Sequence, residues 1–277
     1  MFPVKLAQLC LCVVVVIACQ MMMAQTTIPA PSHVVVVIEE NHSYSEIMGS
    51  SQAPYINTLA SEGAVFTHSY GVAHPSEPNY LALFSGSTHG VTNDNCPLTF
   101  SSASLESQLH AVGRTFKGYS EELPSIGSMM CTYNEYARKH VPWTDFSTGK
   151  STDNMPFSYF PSGNFANLPT VSFVVPDLMD DMHDGSIQQG DAWLQQHLLN
   201  YVTWARNNNS LLIVTFDEDD STAANHILTL FVGPMVKPGK YTQTINHYNL
   251  LRTIEQMYKL PYLGKAATAT PITNIWK

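Results

Sequence analysis

Residues Val34 to Ile38 form an unbroken run of β-branched aliphatics, and the next three residues are Glu39, Glu40 and Asn41. A strand of that composition cannot present either face to water, so it belongs inside a sheet that is covered on both sides. The acids that follow then stand at the strand's carboxyl end, where open α/β sheets collect their functional groups. One short stretch therefore predicts a layered architecture and a place to look for chemistry.

The remainder of the chain repeats this theme. Apolar runs at 34–38, 65–68, 115–119, 171–175, 211–216 and 227–232 read as strands, several of them apolar on both faces. Helical patterns at 54–62, 77–85, 104–112, 189–207 and 247–258 alternate with them; in the fourth, Leu194, Leu198, Tyr201, Val202 and Ala205 fall on one stripe. The alternation predicts an α/β sandwich with a central, mostly parallel sheet, in one domain over 25–277. The stretch 120–169, rich in Pro, Ser, Tyr and Asn, breaks the rhythm and is expected to be a lid-like insertion.

Ahead of the domain, Lys5, an apolar run from Leu6 to Cys19 and small residues up to Ala24 form a secretory signal over 1–24, so the mature chain is expected to be secreted or periplasmic. Val16-Ile17-Ala18-Cys19 also resembles a lipobox, and a lipid on Cys19 would be the route to a membrane. Of the five cysteines, Cys96 and Cys131 remain after the signal; a disulfide is favoured over two separate buried thiols in an oxidising compartment. A net charge of −9 argues against nucleic acid as a partner, because too few cations remain to neutralise phosphates. Oligomeric state is not legible.

Three predicted strands end in acids: Glu39-Glu40-Asn41, Asp177, and Asp217-Glu218-Asp219-Asp220. If these strands are parallel neighbours, their ends meet, and crowded carboxylates repel unless a cation sits among them. Each cluster alone reads better as a turn former or cap; three together favour a site. Ser76, ahead of Glu77-Pro78 and an apolar run, is placed as the N-cap of a helix, whose free N–H groups suit a phosphoryl anion. Most capping serines are structural. Among eleven histidines, His183 lies in the loop after Asp177, where an imidazole can protonate a leaving group. His140 lies in the insertion and His226 just before the run at 227–232. The rest read as core, cap or surface residues; His74, two residues from Ser76, is the least secure of these.

The stretches EENHSY, PSEPNYLALFSG, NDNCP, YARKHVPW, PDLMDDMHDG, TFDEDD and NHILTLFVGPMVKPG occur in this order between about residues 33 and 260. Together they resemble the secreted phosphoesterase family of acid phosphatases and phosphocholine-preferring phospholipases C, related to the alkaline phosphatase superfamily. The resemblance implies an alkaline phosphatase-like three-layer fold, with Glu40, Asn41, Asp217 and Glu218 as ligands of one divalent metal ion. It implies Ser76 as a nucleophile that also touches the metal, and His140 and His183 as catalytic residues lining the phosphate pocket, with His226 a weaker substrate-binding candidate. Asn79, one helical turn after Ser76, is expected to contact a phosphate oxygen. Val141 departs from the pattern, standing where an asparagine is common. Hard oxygen ligands favour Ca, Mg or Mn, while a nearby imidazole lets Zn compete. The activity implied is that of an acid phosphatase, cleaving small phosphate monoesters through a covalent phosphoserine. A phospholipase C-type phosphodiesterase and a non-catalytic secreted calcium-binding module are the alternatives.

Overall fold

A computed structural model describes residues 27–277; the expected signal over 1–24 and Cys19 lie outside the described residues. In chain order the elements are β1 (His33–Glu39), α1 (Tyr44–Ile47), α2 (Pro54–Glu62), β2 (Ala64–Tyr70), α3 (Glu77–Ser85), α4 (Leu105–Ala111), β3 (Phe116–Ser120), β4 (Thr132–Tyr133), β5 (Tyr136–Ala137), β6 (Asn154–Pro156), β7 (Val171–Val175), α5 (Ile187–Ala205), β8 (Ser210–Phe216), β9 (His226–Val232), β10 (Gly239–Tyr241), β11 (Ile245–Asn246) and α6 (His247–Met257).

Along β1 the side chains divide between two cores, because successive strand residues point to opposite faces. Val34, Val36 and Ile38 pack with Leu81 and Phe84 of α3, Leu109 of α4 and Leu251 of α6. Val35 and Val37 pack with Ile56 of α2 and with Leu194, Leu198 and Val202 of α5. The valines of β1 are fully buried, each worth roughly 1.5–3 kcal/mol of apolar transfer. Helices on both faces of one sheet give the expected three layers.

The sheet order is β10-β2-β9-β8-β1-β7-β3-β6, with β11 also paired to β2. The neighbours β8, β1, β7, β3 and β6 are all parallel, as are β10 and β11 with β2. Only β9 runs against the rest, between β8 and β2. The β8–β9 connection is short, and a parallel return would need a crossover of a dozen or more residues.

The insertion is partly built into the sheet. It contributes the edge strand β6, the small hairpin β4–β5 and several 3-10 turns, one of which, Arg138–His140, carries His140. Arg138 anchors that turn from a buried position, with hydrogen bonds to Met129 O, Leu98 O, Thr144 O and Asp145 Oδ1. Cys96 and Cys131 form a disulfide across 35 residues, which ties the insertion to the loop after α3. Closing a loop of that length is worth about 4 kcal/mol in the chain-entropy picture. No helix among the described residues is long and apolar enough to cross a membrane.

Candidate functional site

The carboxyl ends of β1 and β8 lie side by side, since Glu39 is in register with Phe216. Beyond them the chain turns sharply. Asn41 takes a left-handed conformation, φ 54°, which Asn tolerates better than most residues, and its N–H donates to Asp217 Oδ1 at 3.2 Å. Glu40, Asp217 and Glu218 are buried within this turn.

Ser76 reaches the same place from α3. It occupies the N-cap position, but its backbone is already helical and its side chain makes no capping hydrogen bond. Its hydroxyl instead lies 3.1 Å from Glu40 Oε2 and 3.2 Å from Glu218 Oε1. The capping role expected from sequence is thus not what the side chain does. Gly86 ends α3 in the left-handed region, φ 72°, where a Cβ would collide with Leu263 O at 2.2 Å.

Around this centre stands a ring of charged and aromatic groups. Tyr80, one turn along α3, donates its phenol to Glu40 Oε1 and stacks on His140 with ring centroids 5.1 Å apart. His140 bridges two acids, with Nε2 3.3 Å from Glu40 Oε1 and Nδ1 3.3 Å from Asp181 Oδ2. His183 pairs through Nδ1 with Asp184 at 2.7 Å, and its Nε2 lies 3.3 Å from Lys139 Nζ, which also holds Asp94 at 3.1 Å. His74 pairs with Glu218 and, at 3.3 Å, with Asp219.

Electrostatics follow from burial. Desolvation, then repulsion from Asp181, holds the Glu40 carboxyl well above its ordinary range. Burial raises Asp217 likewise, helped by Glu40 and Glu218. Glu218 is raised by burial against the opposing pull of His74 and Ser76. Burial, and after it the Lys139 and His183 charges, drives His140 well below the usual imidazole value. Burial pulls Lys139 down, but Asp94, Glu40 and Asp217 more than offset it, leaving a firmly charged ammonium.

Do these residues suit a divalent cation? Asn41 Oδ1 and Asp217 Oδ2 are buried acceptors without a hydrogen-bond partner, which is costly unless something else satisfies them. Together with Glu40, Glu218 and the Ser76 hydroxyl they form an oxygen donor set of the kind hard cations take. One ligand atom each from Glu40, His140 and His183 also lie within 4.8 Å of one another, so both histidines are close enough to share a metal through Glu40. The donors fit a metal ion.

Several expectations need correction. Asp177 does not join the cluster: its Oδ1 accepts from Met179 N and Asp180 N, the turn-forming role. Asp181, four residues on, supplies the acid from that loop instead. Asn79 spends its amide on the backbone, accepting from Val72 N and Ala73 N and donating to Ala73 O and Pro75 O, so it shapes the loop before Ser76 rather than facing a substrate. His226 bonds Thr67 O and lies against the rings of Tyr44 and Tyr70, with no contact to the acids. Sequence reasoning also passed over Tyr80, Lys139 and Asp181, and it left His74, the least secure of the histidines read as structural, outside the site. Tyr80 had a usable signal, since i and i+4 share a helix face with Ser76.

A model of the phosphoesterase family matches residues 50–261. A Mycobacterium tuberculosis protein named phosphatidylinositol-3-phosphatase is 52% identical over 259 residues, covering 93% of this chain and 87% of its own length. An Aspergillus fumigatus acid phosphatase is 32% identical over 248 residues, covering 82% of this chain and 54% of the fungal protein. Among solved structures, a Vibrio parahaemolyticus protein of the alkaline phosphatase superfamily superposes with TM-score 0.59 at 12% identity, over 90% of this chain and 72% of that one.

Proposed function

Because the chain belongs to the phosphoesterase family and is a hydrolase of phosphoric esters, we propose that it is a metal-dependent phosphomonoesterase that works through a phosphoserine on Ser76. The observation that carries this is the Ser76 hydroxyl, which leaves its helix uncapped and lies between Glu40 and Glu218. Glu40, Asn41, Asp217 and Glu218, with Ser76 Oγ, would hold one divalent ion. Such an ion, when bound, offsets charge on the phosphoryl oxygens and acidifies a coordinated hydroxyl.

The chain's own groups account for the remaining work. Ser76 Oγ attacks phosphorus and passes its proton to Glu218, which His74 holds in place. Lys139 draws the phosphoryl oxygens in by charge. His183, steadied by Asp184, gives a proton to the leaving oxygen as its bond to phosphorus breaks. His183 then takes a proton from water, whose oxygen attacks the phosphoserine; phosphate departs and Ser76 regains its proton from Glu218. His140 lies between Glu40 and Asp181 and spaces the two acids.

The headgroup of a phosphoinositide is the second reading. It is favoured by the 52% identical relative's name and by the exposed Met129, Met130 and Tyr133 on the insertion that delivers His140. Phosphate release should be measured from a chromogenic monoester, a phosphocholine diester and phosphatidylinositol 3-phosphate vesicles, with metal content determined on the same sample. Turnover of the diester alone would defeat the monoesterase reading.

A further inference from the structure

Glu39 is the last residue of β1 and Glu40 lies just beyond it. Strand alternation puts Glu39 on the face of Val35 and Val37, which α2 and α5 cover, whereas Glu40 meets Ser76. It is fully buried, and neither of its carboxylate oxygens has a hydrogen-bond partner. Burial, and after it repulsion from Asp180, Asp191 and Glu121, holds its carboxyl well above the ordinary range. Asp191 is accounted for, because it accepts from Tyr55 N at 3.0 Å and Ile56 N at 2.7 Å at the start of α2.

The others are not balanced. One carboxylate oxygen each from Glu121, Asp177 and Asp180 lie within 4.8 Å of one another. Topology brings them there, since β1, β7 and β3 are consecutive parallel strands and the three acids follow β3 and β7. Their hydrogen bonds come from neutral groups: Trp193 Nε1 and Asp177 N to Glu121, Met179 N and Asp180 N to Asp177, the Gln189 amide to Asp180. The ion pairs of lysine and arginine among the described residues involve Glu62, Asp94, Asp145 and Asp153, not these four acids. Glu121 and Asp180 line an open cleft of about 490 Å³ together with Trp193 and His197, so an ion has a path in.

We propose that Glu121, Asp177 and Asp180, supported by the buried and unpartnered Glu39 carboxyl, form a second cation site for a hard divalent ion of the calcium type. Oxygen-only donors select such ions, and calcium tolerates the irregular geometry of carboxylates that keep other hydrogen bonds. The loop between β7 and α5 carries Asp180 on this side and Asp181 and His183 on the other. An ion here therefore fixes the back of the loop that presents those two residues to the candidate active site. The proposal goes beyond the phosphatase reading, since this ion would bind whether or not Ser76 is the nucleophile.

Terbium luminescence excited through tryptophan tests it, because the Trp193 indole N lies 2.9 Å from Glu121 Oε1. The measurement is made in Asp217→Asn, to remove the ion on the Ser76 side. Sensitised emission should persist there, be displaced by calcium, and vanish when Asp180→Asn is added. Glu39→Gln should weaken terbium binding on the order of 10–100-fold, as loss of a group that supports the ligands does. Trp193→Phe should remove the emission while calcium still raises the melting temperature. If Asp180→Asn fails to fold, Glu121→Gln serves in its place. Emission and calcium-induced stabilisation unchanged by these substitutions, or absent from the start, would overturn the proposal, as would wild-type affinity in Glu39→Gln.

Discussion

Ser76 Oγ lies 3.1 Å from Glu40 Oε2, although the two residues are 36 positions apart and belong to a helix start and a strand end. Both are buried, so the hydroxyl and the carboxylate meet where water does not screen them. A serine serving only its helix would turn its oxygen to the N–H groups of the first turn, and this one does not.

Ser76→Ala should fold normally and lose phosphomonoesterase turnover by on the order of 10³-fold or more, because it removes the hydroxyl that attacks phosphorus in the proposed reaction. Trapping with substrate followed by mass spectrometry should find phosphate on Ser76. Near wild-type turnover in the alanine variant would remove Ser76 from the scheme.

Asp217→Asn should abolish both bound metal on the Ser76 side and activity, since it neutralises a buried donor whose Oδ2 has no other partner. Metal analysis alongside kinetics decides the matter. An active variant free of metal would sink the oxygen-cluster argument.

Tyr80→Phe removes the phenol that donates to Glu40 while keeping the ring stacked on His140. A lone buried carboxylate oxygen costs about 1–3 kcal/mol. The expected result is a fall in kcat/KM of roughly 10–100-fold, as for the loss of a group that orients a metal ligand. An unchanged kcat/KM would mean that Tyr80 only packs.

Arg138→Met should destabilise the protein by about 3–5 kcal/mol, because it strands the buried Asp145 without its partner. Burial already raises Asp145 to about 7 against the pull of Arg138. Denaturant titration measures the loss. The insertion's turn also carries His140, so kcat should drop with it; a stable, fully active variant would contradict the anchoring role.

Glu255 provides a pH test away from the site. Burial lifts its carboxyl from 4.5 to about 8, opposed by the Leu263 N–H and Arg252. A folded value above the unfolded one means that the folded chain holds the extra proton, so this stabilisation is complete below pH 4.5 and is lost as pH rises through about 8. Glu255→Gln should therefore be more stable than wild type at pH 8, by up to about 4 kcal/mol, with the gap closing as the pH falls. Melting curves at the two ends of that range, showing the same difference at both, would refute the assignment.

Much of the scaffold was legible beforehand. The helices at 54–62 and 77–85 and the strand cores of β1, β7 and β8 stand where periodicity put them, because each buries a continuous apolar face. Strands β4, β5, β6, β10 and β11 went unseen, since two or three residues are too few to carry a period. The reversed direction of β9 was also hidden, because an apolar strand reads the same whichever way it runs.

What the sequence alone determined is the layered sheet and the fact that acids, a serine and histidines stand at its carboxyl edge, since apolar runs force burial and their ends force the polar residues out. Which acid serves which site was decided by tertiary structure. Alternation along one strand sends Glu40 to Ser76 and Glu39 to the far side, and the loop's fold turns Asp181 inward while Asp177 caps its own turn. Such choices depend on distances of a few ångströms between groups that separate elements bring together, as with Ser76 and Glu40, and no local pattern encodes those.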